Sequence, residues 1–256
     1  MEANEPEEIF MQIQEFLGNA GKRLSIVEDV VDISIQKDYF RMAEQFRNKQ
    51  DTKEVNVSAD ILFSNDTTEE QLKEVLVLLA SSGEVESYRA IEKFVSVAPS
   101  QLKGWALLAL NECRFHLVGA LTDEEGVLIS TGMGGLDGKL RYFIVLIPAV
   151  DMLSQQQAKL VTDEVKFIFK HYDSEVERVE MADRYMCITA LVPMSVPVNQ
   201  PVTAVIKECN GMGNLLDEGY IVTNVKTLAP DEIRKVLNRE PIDGIYFDDN
   251  PDHTYK

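Results

Sequence analysis

Apolar positions recur every three to four residues through most of the first half of the chain, the spacing that puts one stripe on a helix. Residues 7–17 place Ile9, Phe10, Ile13, Phe16 and Leu17 on such a stripe, and Gly18 and Gly21 end it. From Lys22 to about Lys49 the pattern predicts a long, mostly helical segment, with room for a kink at Ile33 and Ile35. The 50–65 stretch is mixed. Val55 and Val57 alternate with polar residues like a short strand, while Ala59 to Phe63 suit a helical turn. Beyond it Asp66 or Thr67 is placed to cap a helix, with Glu69 and Glu70 in the first turn, where the dipole favours negative charge. Leu72, Val75, Leu76 and Leu79 form its apolar face, and Ser81-Ser82-Gly83 stops it. Tyr88, Ile91 and Val95 mark the next helix. Pro99 then opens a long one through Leu102, Ala106, Ala109, Cys113, Leu117 and Leu121, on which Trp105 and Leu108 read as packing residues.

At Gly126 the period changes. Val127 to Ile129 predicts a short strand, and Leu140 to Ile147 a second one whose continuous apolar character suggests cover on both faces. Ser154 caps a helix to about Tyr172, with Val161, Val165, Ile168 and Tyr172 on one stripe. Val176 and Val179 belong to a third strand and Tyr185 to Val192 to a fourth. Pro201 opens a helix that Gly211 closes, Gly219 to Lys226 is a fifth strand, and Asp231 to Leu237 a last helix. The fold class is therefore α+β. A helical domain at 1–123 precedes a β-β-α-β-β-α-β-α domain at 124–239, with a mainly antiparallel sheet and helices on one face. Residues 240–256 form an acidic tail, docked through Ile245, Tyr246 and Phe247 or left mobile. Tight turns between amphipathic helices over 66–122 resemble HEAT-type helical repeats, although no clean self-match confirms a repeat, and an ordinary bundle is the alternative.

Charge sharpens this division. The 256 residues hold 25 Lys plus Arg against 43 Asp plus Glu, a net charge of −18. Residues 1–125 have 12 basic and 24 acidic side chains, 126–239 have 12 and 14, and 240–256 have 1 and 5. The acidity thus belongs to the helical half and the tail, which disfavours a chain that wraps phosphate backbones over its whole surface. The near-neutral 124–239 region is the part that could still carry a local basic face. An acidic opening segment in place of a basic one, and no apolar run near the ~20 residues of a membrane span, predict neither a secretory signal nor a membrane helix. Cys113, Cys187 and Cys209 form no CxxC pair and read as reduced, buried thiols of a cytoplasmic protein, Cys187 inert within its strand.

Candidate chemistry is sparse. Ser130 to Lys139 contains Gly132, Gly134, Gly135 and Gly138, followed by Lys139 and Arg141, which could bring backbone N–H groups and charge to a partner or an anion. The segment runs into a strand and lacks the GxGxxG and GK[ST] spacings, so a wide β-hairpin with glycines at positive φ is the competing reading. His116, His171 and His253 are isolated, no HExxH or GxSxG occurs, and no metal site, cofactor or catalytic set is predicted.

Two phrases resemble the single-tyrosine HUH transposases of small bacterial insertion sequences. They are Met181-Ala182-Asp183-Arg184-Tyr185-Met186, and Gly219-Tyr220-Ile221-Val222 followed by Pro230 to Leu237. Arg184 and Met186 stand where that family carries its metal-binding histidines, and Val236 where it carries the nucleophilic tyrosine. The resemblance, over about 140–240, implies an inactive module retaining single-strand or hairpin binding, for which Lys139, Arg141, Arg178, Arg184 and Lys207 are the candidate cations. The leading expectation is instead a non-enzymatic cytoplasmic adaptor, whose acidic helical surface meets a basic protein partner, with a second surface at the glycine-rich hairpin.

Overall fold

The computed structural model describes residues 23–49, 58–64 and 66–242, which divide into two compact units, one ending at Gly132 and one beginning at Met133. The expected helix at 7–17, the strand-like Val55 and Val57, and the docking of Ile245, Tyr246 and Phe247 lie outside the described residues.

The first unit opens on a strand where the apolar pattern predicts helix. Arg23–Ile26, read from periodicity as helix, is a strand (β1), paired in parallel with Gly126–Ile129 (β2) from Arg23↔Gly126 to Ile26↔Ile129. The helix begins later, at Ile33–Lys49 (α1), where the Asp32 carboxylate accepts the Ser34 N–H at 2.8 Å. A four-residue segment carries almost no periodicity, so its partner β2 decides its conformation. That partner, read from sequence as the opening strand of the second domain, belongs to the first unit.

A 3₁₀ turn follows at Ala59–Phe63, then α2 (Glu69–Ser82), α3 (Val85–Val97) and α4 (Ser100–Thr122). The cap of α2 is Thr68, one residue beyond the expected pair, and its side chain and that of Gln71 bond reciprocally to each other's backbone N–H. Gly83 ends α2 at φ 62°, and a Cβ there would lie 2.9 Å from the His116 Cβ on α4, so both its conformation and its space exclude a side chain. Tyr39, Leu76, Ile91, Trp105 and Leu108 come from all four helices and share one buried cluster. That is a bundle, because α1 packs on α4 as well as on its sequence neighbour α2, closing the four helices around one core.

The second unit comprises β3 (Gly135–Leu136), β4 (Lys139–Pro148), α5 (Gln155–His171), β5 (Glu175–Ala182), β6 (Tyr185–Pro193), α6 (Asn199–Gly211), β7 (Leu216–Thr223) and α7 (Pro230–Leu237). All strand pairs are antiparallel. β4 is bonded to β6 on one side and to β7 and the short β3 on the other, and β5 edges β6. The order β7-β4-β6-β5 with two crossover helices is the split β-α-β, ferredoxin-like arrangement. Ser154 caps α5 as expected.

Alternation along β4 shows which helix covers which face. Ile144 and Leu146 pack against α5 and α6, while Phe143 and Val145 pack against Ile233 and Val236 of α7. The third helix therefore lies on the opposite face from the other two, which corrects the expectation of helices on one face and accounts for the unbroken apolar run of β4. β7 starts three residues earlier than its β-branched core suggested, because the Asn210 side chain bonds both the N–H (2.9 Å) and the C=O (2.8 Å) of Leu216.

Candidate functional site

The glycine-rich segment folds as a tight hairpin, not a wide one. Gly135 pairs with Leu140 and Leu136 with Lys139, leaving a two-residue turn, Asp137-Gly138, with φ of 49° and 76°. Two successive positive φ values are those of a type I′ turn, whose twist matches the flanking strands and which Gly suits at its second position. Only the tip is exposed. Gly132, Gly134 and Gly135 are buried, and between them the Met133 side chain enters the core beneath α7.

Arg141 is committed to holding this segment. Its Nε and Nη2 donate to Glu177 at 2.7 and 2.9 Å, and its Nη1 donates to the Met133 carbonyl at 2.9 Å. The hydrogen bonds to Glu177 raise its pKa further, so it stays charged.

The other candidate cations do not converge. Lys139 faces Asp173 at 3.6 Å, and Arg178 contacts Glu180 at 2.5 Å. Arg184 stands in the exposed β5–β6 turn over the Tyr185 ring, and Lys207 is exposed on α6, on the other side of the sheet from Arg141. Carboxylates thus sit against three of the five, and a phosphate would have to compete with each of them.

Of the three positions tied to the transposase resemblance, Arg184 is exposed and the other two are core. Met186 is 1% exposed against α5 and α6, and Val236 is 5% exposed in the cluster beneath α7. No protein-family model matches the chain, and no curated protein matches it. Among solved structures, one described as "a putative transposase from Deinococcus radiodurans R1" is similar at 16% identity and a TM-score of 0.34, covering 40% of this chain and 91% of that one. The likeness is too slight to carry an argument about this chain.

The three cysteines are buried and unpaired. Burial, the largest cause at each, pushes every thiol up to about 11. The thiol is therefore the species held in the fold, and its contribution to stability is present below pH ~9 and lost as pH rises towards 11. A disulfide reagent at pH 8 is expected to label the native chain slowly and to reach three equivalents only when denaturant unfolds it. Rapid labelling of one thiol in the folded chain would show an accessible thiolate and contradict this. Among the described residues no helix is long and apolar enough to cross a membrane, and no group of three or more His, Cys, Asp or Glu is placed to hold a metal ion.

Sequence reasoning passed over two features of the helical unit. One is a buried polar pair, in which the Tyr39 hydroxyl donates to Glu112 Oε2 at 2.5 Å with both residues nearly inaccessible. The other is a groove of about 360 Å³ between the 3₁₀ turn and the outer face of α2, lined by Ile61, Asp66, Gln71, Glu74, Val75 and Leu78 among others. Gln71, Glu74, Val75 and Leu78 recur at helical spacing, so a single face of α2 forms one wall. The one legible sign was compositional: 58–82 holds five carboxylates and a single lysine.

Proposed function

We propose that this chain is a non-enzymatic, cytoplasmic interaction protein whose acidic helical unit receives a basic protein partner. The observation that carries the reading is the excess of acid along the 3₁₀ turn and α2. Asp60, Asp66, Glu69, Glu70 and Glu74 are exposed there, against Lys73, which Glu69 holds at 2.8 Å, and Lys93, which lies over the Phe63 ring at 4.8 Å. A field of one sign steers an oppositely charged partner and rejects like-charged ones. Three buried thiols with no disulfide suit a reducing compartment. The exposed hairpin tip at Leu136, Asp137 and Gly138 offers a second, smaller surface.

Complexes captured on the full chain are expected to weaken as salt rises from about 10 to about 150 mM, over which the screening length falls from about 30 to about 8 Å. Binding that does not respond to salt would remove the electrostatic basis of the reading.

A further inference from the structure

Resting on that reading, we propose that the groove beside the 3₁₀ turn anchors one lysine or arginine side chain of the partner. Its walls divide by chemistry. Ile61, which is 36% exposed, Val75 and Leu78 offer apolar surface, while Asp66 and Glu74 add carboxylates that form no ion pair among the described residues. Long cationic side chains have this same division, an aliphatic stem that gains from apolar contact and a head that seeks carboxylate. At about 360 Å³ the groove is near the lower end of the ~300–1,000 Å³ range of ligand pockets, which suits one extended side chain rather than a whole helix.

The alternatives fit less well. An anion would meet two carboxylates and no lining cation, since Lys73 is bonded to Glu69 and lies over the Trp105 ring at 5.3 Å. A purely apolar side chain would press Asp66 and Glu74 against hydrocarbon without a partner, a desolvation cost with nothing to offset it. The groove lies on a fixed scaffold. The Thr67 hydroxyl donates to the Ile61 carbonyl at 3.1 Å, and the Thr68–Gln71 capping box fixes the start of α2. The backbone that carries both carboxylates is therefore held before a cation arrives.

The test is fluorescence anisotropy on the full chain at low salt, with a fluorescein-labelled acetyl-(Arg-Leu)₃-amide peptide, its lysine counterpart and its uncharged citrulline counterpart. The parent is expected to bind the arginine and lysine peptides at least fivefold more tightly than the citrulline one. The double variant Asp66→Asn/Glu74→Gln is expected to lose that preference, while Glu84→Gln/Glu86→Gln, which removes the same charge from the N-terminal end of α3 and the residue before it, changes affinity by less than twofold. Equal losses in the two double variants would overturn the groove as the site yet leave an acidic interaction surface standing. Citrulline binding as tight as arginine binding, or no binding of the cationic peptides by the parent, would overturn the proposal outright. Salt-insensitive partner capture, by contrast, would strike at the interaction reading itself. Far-UV circular dichroism of each variant, matched to the parent, guards against misfolding as the cause of any loss.

Discussion

Tyr39→Phe is expected to lower the unfolding free energy of the helical unit by about 3 kcal/mol, because it leaves the Glu112 carboxylate buried without its donor. The group closest in charge, His116 Nε2, is 3.7 Å from the other carboxylate oxygen and half-exposed, so it does not replace a 2.5 Å hydrogen bond. Glu112→Gln should cost less, since the amide oxygen still accepts from the hydroxyl and the buried charge is gone. The readout is built in: Trp105, the chain's single tryptophan, lies edge-on to Tyr39 at 5.4 Å, so urea unfolding followed by its fluorescence reports this unit.

The linkage has a definite sign. Burial, then Glu112, raises the Tyr39 pKa, so its stabilisation is complete below the free-tyrosine value of about 10 and is lost as pH climbs further. Tyr39→Phe should accordingly flatten the alkaline limb of the stability curve. A variant within about 0.5 kcal/mol of the parent would show that the pair contributes nothing beyond packing.

Ile144→Ala in the second unit is expected to cost about 3–4 kcal/mol. Ile144 is fully buried, pairs with Ile188 on one side and Val222 on the other, and shares a core with Val161, Val165 and Val205 beneath α5 and α6. Neighbours held by a bonded strand on each side cannot collapse into the space, so the cavity persists. Hydrogen exchange is the suitable measurement, because no tryptophan lies here: β4 and β6 amides should exchange at least about 100-fold faster. Phe167→Ala, on the same α5 but 61% exposed, is the control and should shift exchange little. Similar effects from both substitutions would mean that the core is not arranged as described.

Much of the fold was legible because its signals are local. The faces of α2 to α5, the Ser154 cap and the apolar run of β4 each depend on residues within a turn or two of one another. The failures share a cause as well. Arg23–Ile26 is a strand only because Gly126–Ile129 returns beside it, and no periodicity in four residues announces a partner so far along the chain. Glycine content predicts a wide hairpin joining the strands at 127–129 and 140–147, but 126–129 pairs with Arg23–Ile26 and the hairpin partner of Lys139 and Leu140 is Gly135-Leu136. Asp137-Gly138 closes it in two residues, while the remaining glycines are buried and Met133 enters the core.

Residue order is enough to make this an α+β chain, to place most of its acidity in the helical half and to separate its cysteines by long stretches of chain. Helix period, strand alternation and charge are properties of neighbouring residues and need no fold to express them. It takes the folded chain to bring Glu177 to Arg141, to bury Val236, to join Tyr39 to Glu112, and to line one groove with Asp66 and Glu74. Those facts rest on residues brought together by chain closure, where burial and pairing set the energy of a charge more than its identity does.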